Sequence, residues 1–339
     1  MVTLAARCSI LSRPVLSPFF RYLPSHCTDV LISVNPSAGS GSRGGMVDAL
    51  AESLRDNWLN VEVLSDLQVV EGMAREKSRK GRLRAVIAAG GDGTFRLVAE
   101  HTTQEMPLAI LPLGTENLLA KHLEVPAEVA DIAAVIVAGC TIQLDAGEAN
   151  GRLFTLMAGC GFDADVVRRL HSERKGNIHH LSYAKPILDS IRNYDYPLLR
   201  VNYADGGDRP GSERRSGEGR WVFVVNLPRY AGGLNIAPGA SGSDGLLDVC
   251  TFKEGSLWRG LMYLSEVMLG RHQNLPDFTQ VQVAEVRVES ESSVPYQLDG
   301  DPGGELPLVV RSLPGRLRVI VSREWAEGHG YQEGEAKQP

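Results

Sequence analysis

Arg84-Ala85-Val86-Ile87-Ala88-Ala89-Gly90-Gly91-Asp92-Gly93-Thr94-Phe95-Arg96 is the stretch on which the fold turns. The run before the glycines is apolar, partly β-branched and too short for a lone helix, and a helical pattern (Leu97, Val98, His101) follows at once. That order reads as strand, tight turn, helix. Glycines at 90, 91 and 93 admit positive φ and a close backbone approach, while the helix start offers unpaired N–H groups and a positive dipole end. Such a turn suits a phosphate. Asp92 complicates the picture, because a carboxylate beside a phosphate repels it unless a cation or a hydroxyl-bearing group lies between them. The plainer alternative is a strand-to-helix turn with Asp92 as its N-cap.

The flanking segments repeat the same grammar. Val30-Leu31-Ile32-Ser33-Val34 predicts a buried strand, followed by a Ser/Gly-rich loop from Asn35 to Gly45 and a helix carrying Met46, Ala49, Leu50 and Leu54. Gly39, Gly41 and Gly44 match G-x-G-x-x-G, but Pro36 interrupts the turn and no second nucleotide half follows, so a polyphosphate loop is the better reading than a dinucleotide one. Val61–Leu64 and Pro107–Leu113 predict two more strands, the latter running into Gly114-Thr115-Glu116-Asn117 and another helix. Alternating strands and helices imply a mainly parallel sheet with helices on each face. All the glycine-bearing turns then leave strand C-terminal ends, where open parallel sheets bind ligands.

From about Gln143 the pattern changes to short alternating segments, among them Leu153–Met157, Leu198–Val201, Trp221–Val225, Leu246–Cys250, Val286–Val288 and Pro295–Leu298. These predict a mainly antiparallel β-sandwich, interrupted by helical insertions near 163–194 and 257–271, with a polar hairpin tip or mobile loop over 204–220. The expected division is an α/β domain over 29–142, a β-rich domain over 143–311, and residues 312–325 packing back on the first. Residues 1–28 contain Arg7, Arg13 and Arg21 and no acid, and are expected to be a disordered extension. The tail over 326–339 is expected to be disordered too.

Composition narrows the class. The 339 residues are 43% hydrophobic and carry a formal charge of -6, which disfavours a nucleic-acid partner. No run approaches the roughly 20 apolar residues of a membrane span. Five scattered cysteines give no Cys-x-x-Cys pair and fit a reducing, cytoplasmic setting. Arg168, Arg169, Arg174, Lys175, His179, His180 and Lys185 form a basic stretch suited to a solvated face or to anionic headgroups.

Asn35-Pro36-Ser37-Ala38-Gly39, Gly90-Gly91-Asp92-Gly93-Thr94 and Leu111-Pro112-Leu113-Gly114-Thr115-Glu116-Asn117, in that order, resemble the three nucleotide motifs of the diacylglycerol kinase catalytic-domain family, which includes bacterial lipid kinases and is similar to sphingosine and ceramide kinases. The resemblance implies a three-layer, NAD-kinase/phosphofructokinase-like first domain. It also implies an ATP site lined by Asn35, Pro36, Ser37, Ala38, Gly39, Ser65, Gly90, Gly91, Asp92, Gly93, Thr94, Thr115 and Asn117, with Mg²⁺ as cofactor and Asp92 engaging the nucleotide or a metal bridge. Leu118 departs from the aspartate that family members commonly carry there.

Ser241-Gly242-Ser243-Asp244-Gly245-Leu246 resembles the segment with which bacterial members hold a structural magnesium, which implies Ser241, Asp244 and Leu246 as ligands. An Asp-Gly turn into a strand explains Asp244 without a metal. Gly161-Phe162-Asp163-Ala164 and Tyr230-Ala231-Gly232-Gly233 match further family elements, and for Asp163 helix capping is expected. Gln297-Leu298-Asp299-Gly300-Asp301 resembles the element whose acidic side chain accepts the proton of a lipid hydroxyl, with Asp301 at the glutamate position and one methylene shorter. Either Asp301 or Asp299 is the expected base. The reading is thus a Mg²⁺-dependent kinase that moves the γ-phosphoryl group of ATP to a diacylglycerol-like or sphingoid-like hydroxyl, cytoplasmic or peripheral at a membrane surface. An NAD kinase and a catalytically weak nucleotide-binding relative are the alternatives, and the oligomeric state stays open.

Overall fold

The computed structural model describes residues 18–35, 42–172, 193–204, 214–230 and 233–334. Four short apolar segments, Asn60–Leu64, Asp29–Val34, Leu83–Gly90 and Pro107–Pro112, lie side by side in that order and parallel. Their alternation determines what covers each face. Leu31, Val86, Ala88, Leu108 and Ile110 share one core with Val70 and Ala74 of the Leu67–Arg79 helix and Phe95 and Val98 of the Asp92–Glu100 helix. Val30, Ile32, Ala85, Ile87 and Leu111 share the other with Val47, Leu50 and Leu54 of the Ser42–Asp56 helix and Ile132 and Ile136 of the Val129–Ala138 helix. A parallel sheet buried on both faces needs such near-continuous apolar strands.

A long strand, Leu308–Ile320, ties this domain to the rest. Arg318 and Val319 pair parallel with Pro107 and Leu108, residues 308–311 pair antiparallel with Glu285–Val288, and Cys140–Ala149 runs antiparallel along most of its length. One 12-stranded sheet therefore passes through both halves. Its register shifts between Leu313 and Leu317, where Gly315 sits at φ +58 and gives its N–H to Asp145 Oδ1 at 2.6 Å.

The second sheet is antiparallel throughout, in the order Phe278–Val283, Leu247–Phe252, Trp221–Val225, Met157–Gly161, Pro295–Leu298 and Asp301–Glu305. Val222 and Val224 face a sandwich core with Val201, Val286, Val288, Leu308 and Val310 of the first sheet. Trp221 and Phe223 face the other way, where Phe162 of the Phe162–Ser172 helix and Tyr263 of the Leu257–Met268 helix pack on Trp221. The molecule is thus an α/β domain joined to an antiparallel sandwich, as the segment patterns predict. Strands Leu199–Ala204 and Arg214–Gly219 form a hairpin, so the expected tip over 204–220 is shorter than read, its second part being a paired strand; residues 205–213 lie outside the described residues, as does 173–192 of the first helical insertion.

The expectation of disorder is corrected for residues 18–28 and 326–334, while residues 1–17 lie outside the described residues. Phe19–Tyr22 is a strand, antiparallel to Cys140–Ile142 and parallel to Gln332–Glu333, and Phe20 is only 1% exposed. The C-terminal segment forms a helix, Arg323–Gly328, with Trp325, Ala326 and Tyr331 buried, so of the expected disordered tail only 335–339 lies outside the described residues. A four-residue strand with one inward side chain carries no periodic signal of its own; its partners are more than a hundred residues away. Truncating Phe20 to Ala should cost about 3–5 kcal/mol, read as a lower urea midpoint at unchanged m-value.

Candidate functional site

The three sequence-predicted turns leave the same edge of the sheet. Val34 lies opposite Ala89 and Gly90 opposite Pro112, so Asn35, Gly91 and Leu113 begin their loops level with one another on adjacent strands. Leu64 lies opposite Ser33, which places exposed Ser65 at that edge as well. Two of the turns touch: a Cβ built on Gly91 would lie 3.2 Å from Gly114 Cα. Side chains at these positions would force the turns apart. Pro36, Ser37, Ala38 and Gly39 lie outside the described residues.

The Asp92–Glu100 helix begins after Gly91, which supplies no side-chain cap. Asp92 caps a helix, though not its own. Its Oδ2 accepts the N–H of Leu118 and its Oδ1 that of Leu119, both at 2.9 Å, at the start of the Leu118–His122 helix. Burial raises the Asp92 carboxyl above its usual range, while those N–H groups pull it back down. Asn117, at φ +50, is locked onto its own loop: its Oδ1 accepts Gly114 N–H at 2.9 Å and its Nδ2 donates to Gly114 O at 3.0 Å. Thr115 is exposed, and Leu118 is buried in the core, so no carboxylate stands at that position. At its far end the short helix is held by Trp325, whose Nε1 donates to His122 O at 2.9 Å.

The acidic turn arrives from the second sheet. Asp299 at φ +50 and Gly300 at φ +87 occupy the two central positions of a hairpin joining Leu298 to Asp301, the pattern that favours Asp-Gly. The structure separates the two candidate bases. Asp299 turns inward and accepts four bonds, from Thr155 N (2.7 Å), Thr155 Oγ1 (3.0 Å), Leu156 N (2.8 Å) and Met157 N (3.0 Å). Burial still pushes its carboxyl up to about 6 against those donors. Asp301 faces the glycine turn: its Oδ2 is 3.3 Å from where a Gly93 Cβ would stand, and it accepts from Arg96 Nη2 at 3.3 Å. Arg96 is 5% exposed, its Nη1 donates to Glu100 Oε1 at 3.0 Å, and its Nε has no hydrogen-bond partner among the described residues. The edge thus assembles a capless helix start, a buried cation and one accessible carboxylate. Two glycine turns and the acidic hairpin are brought together; Ser241, Asp244 and Leu246 form a separate loop.

Behind the acidic turn lies a buried group that the sequence suggested as a mere cap. Asp163, 5% exposed, accepts from Gln297 Nε2 at 2.8 Å through Oδ2 and from Tyr230 Oη through Oδ1. Burial pushes its carboxyl up to about 7. Gln297 in turn accepts Gly300 N–H at 2.7 Å. Gln297 and Glu100 were not legible as site residues, since nothing local marks a glutamine in a strand or a glutamate at a helix end.

In the Ser241–Leu246 loop, Asp244 Oδ1 accepts Leu246 N–H at 2.9 Å and Oδ2 accepts Gln282 Nε2 at 3.2 Å. That is the Asp-Gly turn of the plainer reading. Burial first, then the charges of Asp145 and Asp248, raises the Asp244 carboxyl. Among the described residues no three His, Cys, Asp or Glu side chains gather as metal ligands. In the basic stretch, Arg168 and Arg169 both pair with Asp165 at 2.6 Å, and Arg174, Lys175, His179, His180 and Lys185 lie outside the described residues.

With this geometry in hand, residues 29–149 match the model of the diacylglycerol kinase catalytic domain, and 157–321 that of the YegS C-terminal NAD kinase beta sandwich-like domain. The chain is 31% identical over 239 residues to a "Probable lipid kinase YegS-like" of Pseudomonas aeruginosa, covering 69% of this chain and 75% of the other. It is 26% identical over 264 residues to a diacylglycerol kinase of Bacillus subtilis, covering 76% and 84%. The crystal structure of a diacylglycerol kinase from Bacillus anthracis superposes with a TM-score of 0.62 over 88% of this chain and 97% of that one; at 20% identity the likeness is one of fold.

The two aspartates of the hairpin should respond differently to the same isosteric change. Asp299→Asn turns an NH₂ toward backbone donors and should lose about 2–4 kcal/mol of stability; Asp301→Asn, a third exposed and leaving Arg96 its pair with Glu100, should lose less than about 1 kcal/mol. Calorimetry on the two variants checks this.

Proposed function

This chain belongs to the diacylglycerol kinase family of lipid kinases, and from that premise we propose that it transfers the γ-phosphoryl group of ATP to the hydroxyl of a diacylglycerol-like or sphingoid-like lipid. The observation that carries the reading is the meeting of Asp301 with the glycine turn at Gly93, because phosphoryl transfer needs a proton acceptor beside the phosphate cradle. Gly91 starts the Asp92–Glu100 helix without a side-chain cap, so the amides of that turn suit phosphate oxygens, as do Asn35, Ser65 and Thr115 along the same edge. ATP with Mg²⁺ supplies the phosphoryl group and part of the charge neutralisation. Arg96 holds Asp301 in place and brings positive charge to the turn, and Asp301 takes the proton of the attacking hydroxyl late in the transfer. Asp92 acts at one remove, by fixing the loop that carries Thr115 and Asn117. Asp299 is a structural anchor.

Among the described residues no helix is long and apolar enough to cross a membrane. A kinase acting on a lipid hydroxyl would work in the cytoplasm or peripherally at the surface of the bilayer that holds its substrate.

Incubation with γ-labelled ATP, Mg²⁺ and a panel of diacylglycerol, sphingoid base, ceramide, undecaprenol and NAD should label a lipid. Asp301→Asn should lower that rate at least about 100-fold. Label on NAD alone, or on nothing, overturns the reading.

The Ser241–Leu246 loop is proposed as a structural Mg²⁺ site. The charges of Asp145 and Asp248 bear on Asp244 there, and a hard cation taking that one carboxylate, two carbonyls and waters would offset their repulsion. Millimolar Mg²⁺ should raise the melting temperature of the wild type and leave that of Asp244→Asn unmoved, read by differential scanning fluorimetry without substrate.

A further inference from the structure

Three polar side chains behind the acidic hairpin take no part in the proposed transfer, yet all three are paired, two of them, Asp163 and Gln297, buried and Tyr230 half-buried. Gln297 is 0% exposed on strand Pro295–Leu298, Asp163 opens the Phe162–Ser172 helix, and Tyr230 lies on the short strand Arg229–Tyr230. Buried polar chains of this kind are costly unless every member is paired, so their completeness asks for a reason.

The orientation of the chain follows from its ends. Gly300 N–H can only donate, so the Gln297 atom that meets it at 2.7 Å is Oε1, and Nε2 must face Asp163 Oδ2 at 2.8 Å. Tyr230 Oη closes the chain on Oδ1. Room for it exists because residue 159 is glycine: a Cβ there would collide with the Asp163 carboxylate and stand 2.8 Å from Gln297 Nε2. The hairpin is thereby held at two points, Asp299 by the amides of 155–157 and Gly300 by Gln297, and the next residue is Asp301. The strand bearing Tyr230 also packs against the Leu118–His122 helix that Asp92 caps. The chain therefore links the loop on one side of the cleft to the hairpin on the other.

We infer that Tyr230, Asp163 and Gln297 form a positioning relay that sets the Asp299–Asp301 hairpin so that Asp301 points at the Gly93 turn. The role in catalysis rests on the lipid-kinase reading above; the hydrogen bonding does not.

The relay tolerates titration of its carboxyl. The groups facing Asp163 are the Tyr230 hydroxyl, the Gln297 amide and the Cys160 thiol, while Asp165 is turned to Arg168 and Arg169. If Asp163 is protonated on Oδ1, that proton is given to Tyr230 and Oδ2 still accepts from Gln297. Placing a second carboxyl at 297 removes this tolerance. In Gln297→Glu the two carboxyls must share a proton, which is present at low pH and lost as pH rises.

Two measurements on the full chain test the relay. By NMR hydrogen exchange, the Gly300 amide should be protected in the wild type and exchange at least about ten-fold faster in Gln297→Leu, with the amides of Leu156 and Met157 unchanged. In kinase assays Gln297→Leu should lower kcat at least about ten-fold with KM for ATP within about two-fold, and should change kcat less than about two-fold in an Asp301→Asn background. Gln297→Glu should regain rate relative to wild type as pH falls from about 8 to 6, and Asp163→Asn, whose amide can still serve both neighbours, should exceed Asp163→Leu by about five-fold or more. An unprotected Gly300 amide in the wild type, or additive losses with Asp301→Asn, overturns the inference. A wild type that labels no lipid sinks the functional reading alone, and the exchange data still decide whether Gln297 holds the hairpin.

Discussion

The carboxylate of Asp92 binds the first two amides of a helix that is not its own, and the candidate site depends on that bond pair. Two loops leaving adjacent parallel strands have no backbone ladder between them, so something else must fix their spacing. A carboxylate at a helix N-terminus is well placed for this, because the N–H groups it satisfies are orphans otherwise and the dipole favours negative charge there. With Gly91 and Gly114 in near contact, the two turns behave as one surface.

A second carboxylate repeats the device on the facing sheet. Asp299 gathers three consecutive amides and the Thr155 hydroxyl, and so anchors the hairpin that presents Asp301. In both cases a residue that looks chemically reactive in the sequence is occupied by backbone, and its neighbour faces the cleft. For such motifs, the carboxylate with the most donors is the one least available for proton transfer, since each bond to backbone fixes its orientation and takes a lone pair.

Much of this was legible in the residues. Gly90-Gly91-Asp92-Gly93-Thr94 fixed the strand-turn-helix unit because glycine and apolar run length are local signals, and Asp299-Gly300 announced its turn for the same reason. The alternation in Trp221-Val222-Phe223-Val224 placed a sandwich strand, and the structure shows both faces buried, with valines toward one core and aromatics toward another. What could not be read was the identity of distant partners. Nothing near Phe20 points to Ile142 or Gln332, nothing near Trp325 points to His122, and Gln297 acquires meaning only from Asp163, 134 residues earlier. Likewise Asp92 declared its charge but not whose amides would receive it.

The Leu308–Ile320 strand has a consequence for how the molecule can move. Because it belongs to the ladders of both halves, a rigid-body hinge between them would have to break sheet hydrogen bonds. The register shift between Leu313 and Leu317, with Gly315 in the left-handed region, is the one irregularity along that strand, and Asp145 pins it by accepting Gly315 N–H. Flexing about this bulge is the way for the cleft to open that leaves those ladders intact. The spacing between Gly93 and Asp301 is already set in the resting fold.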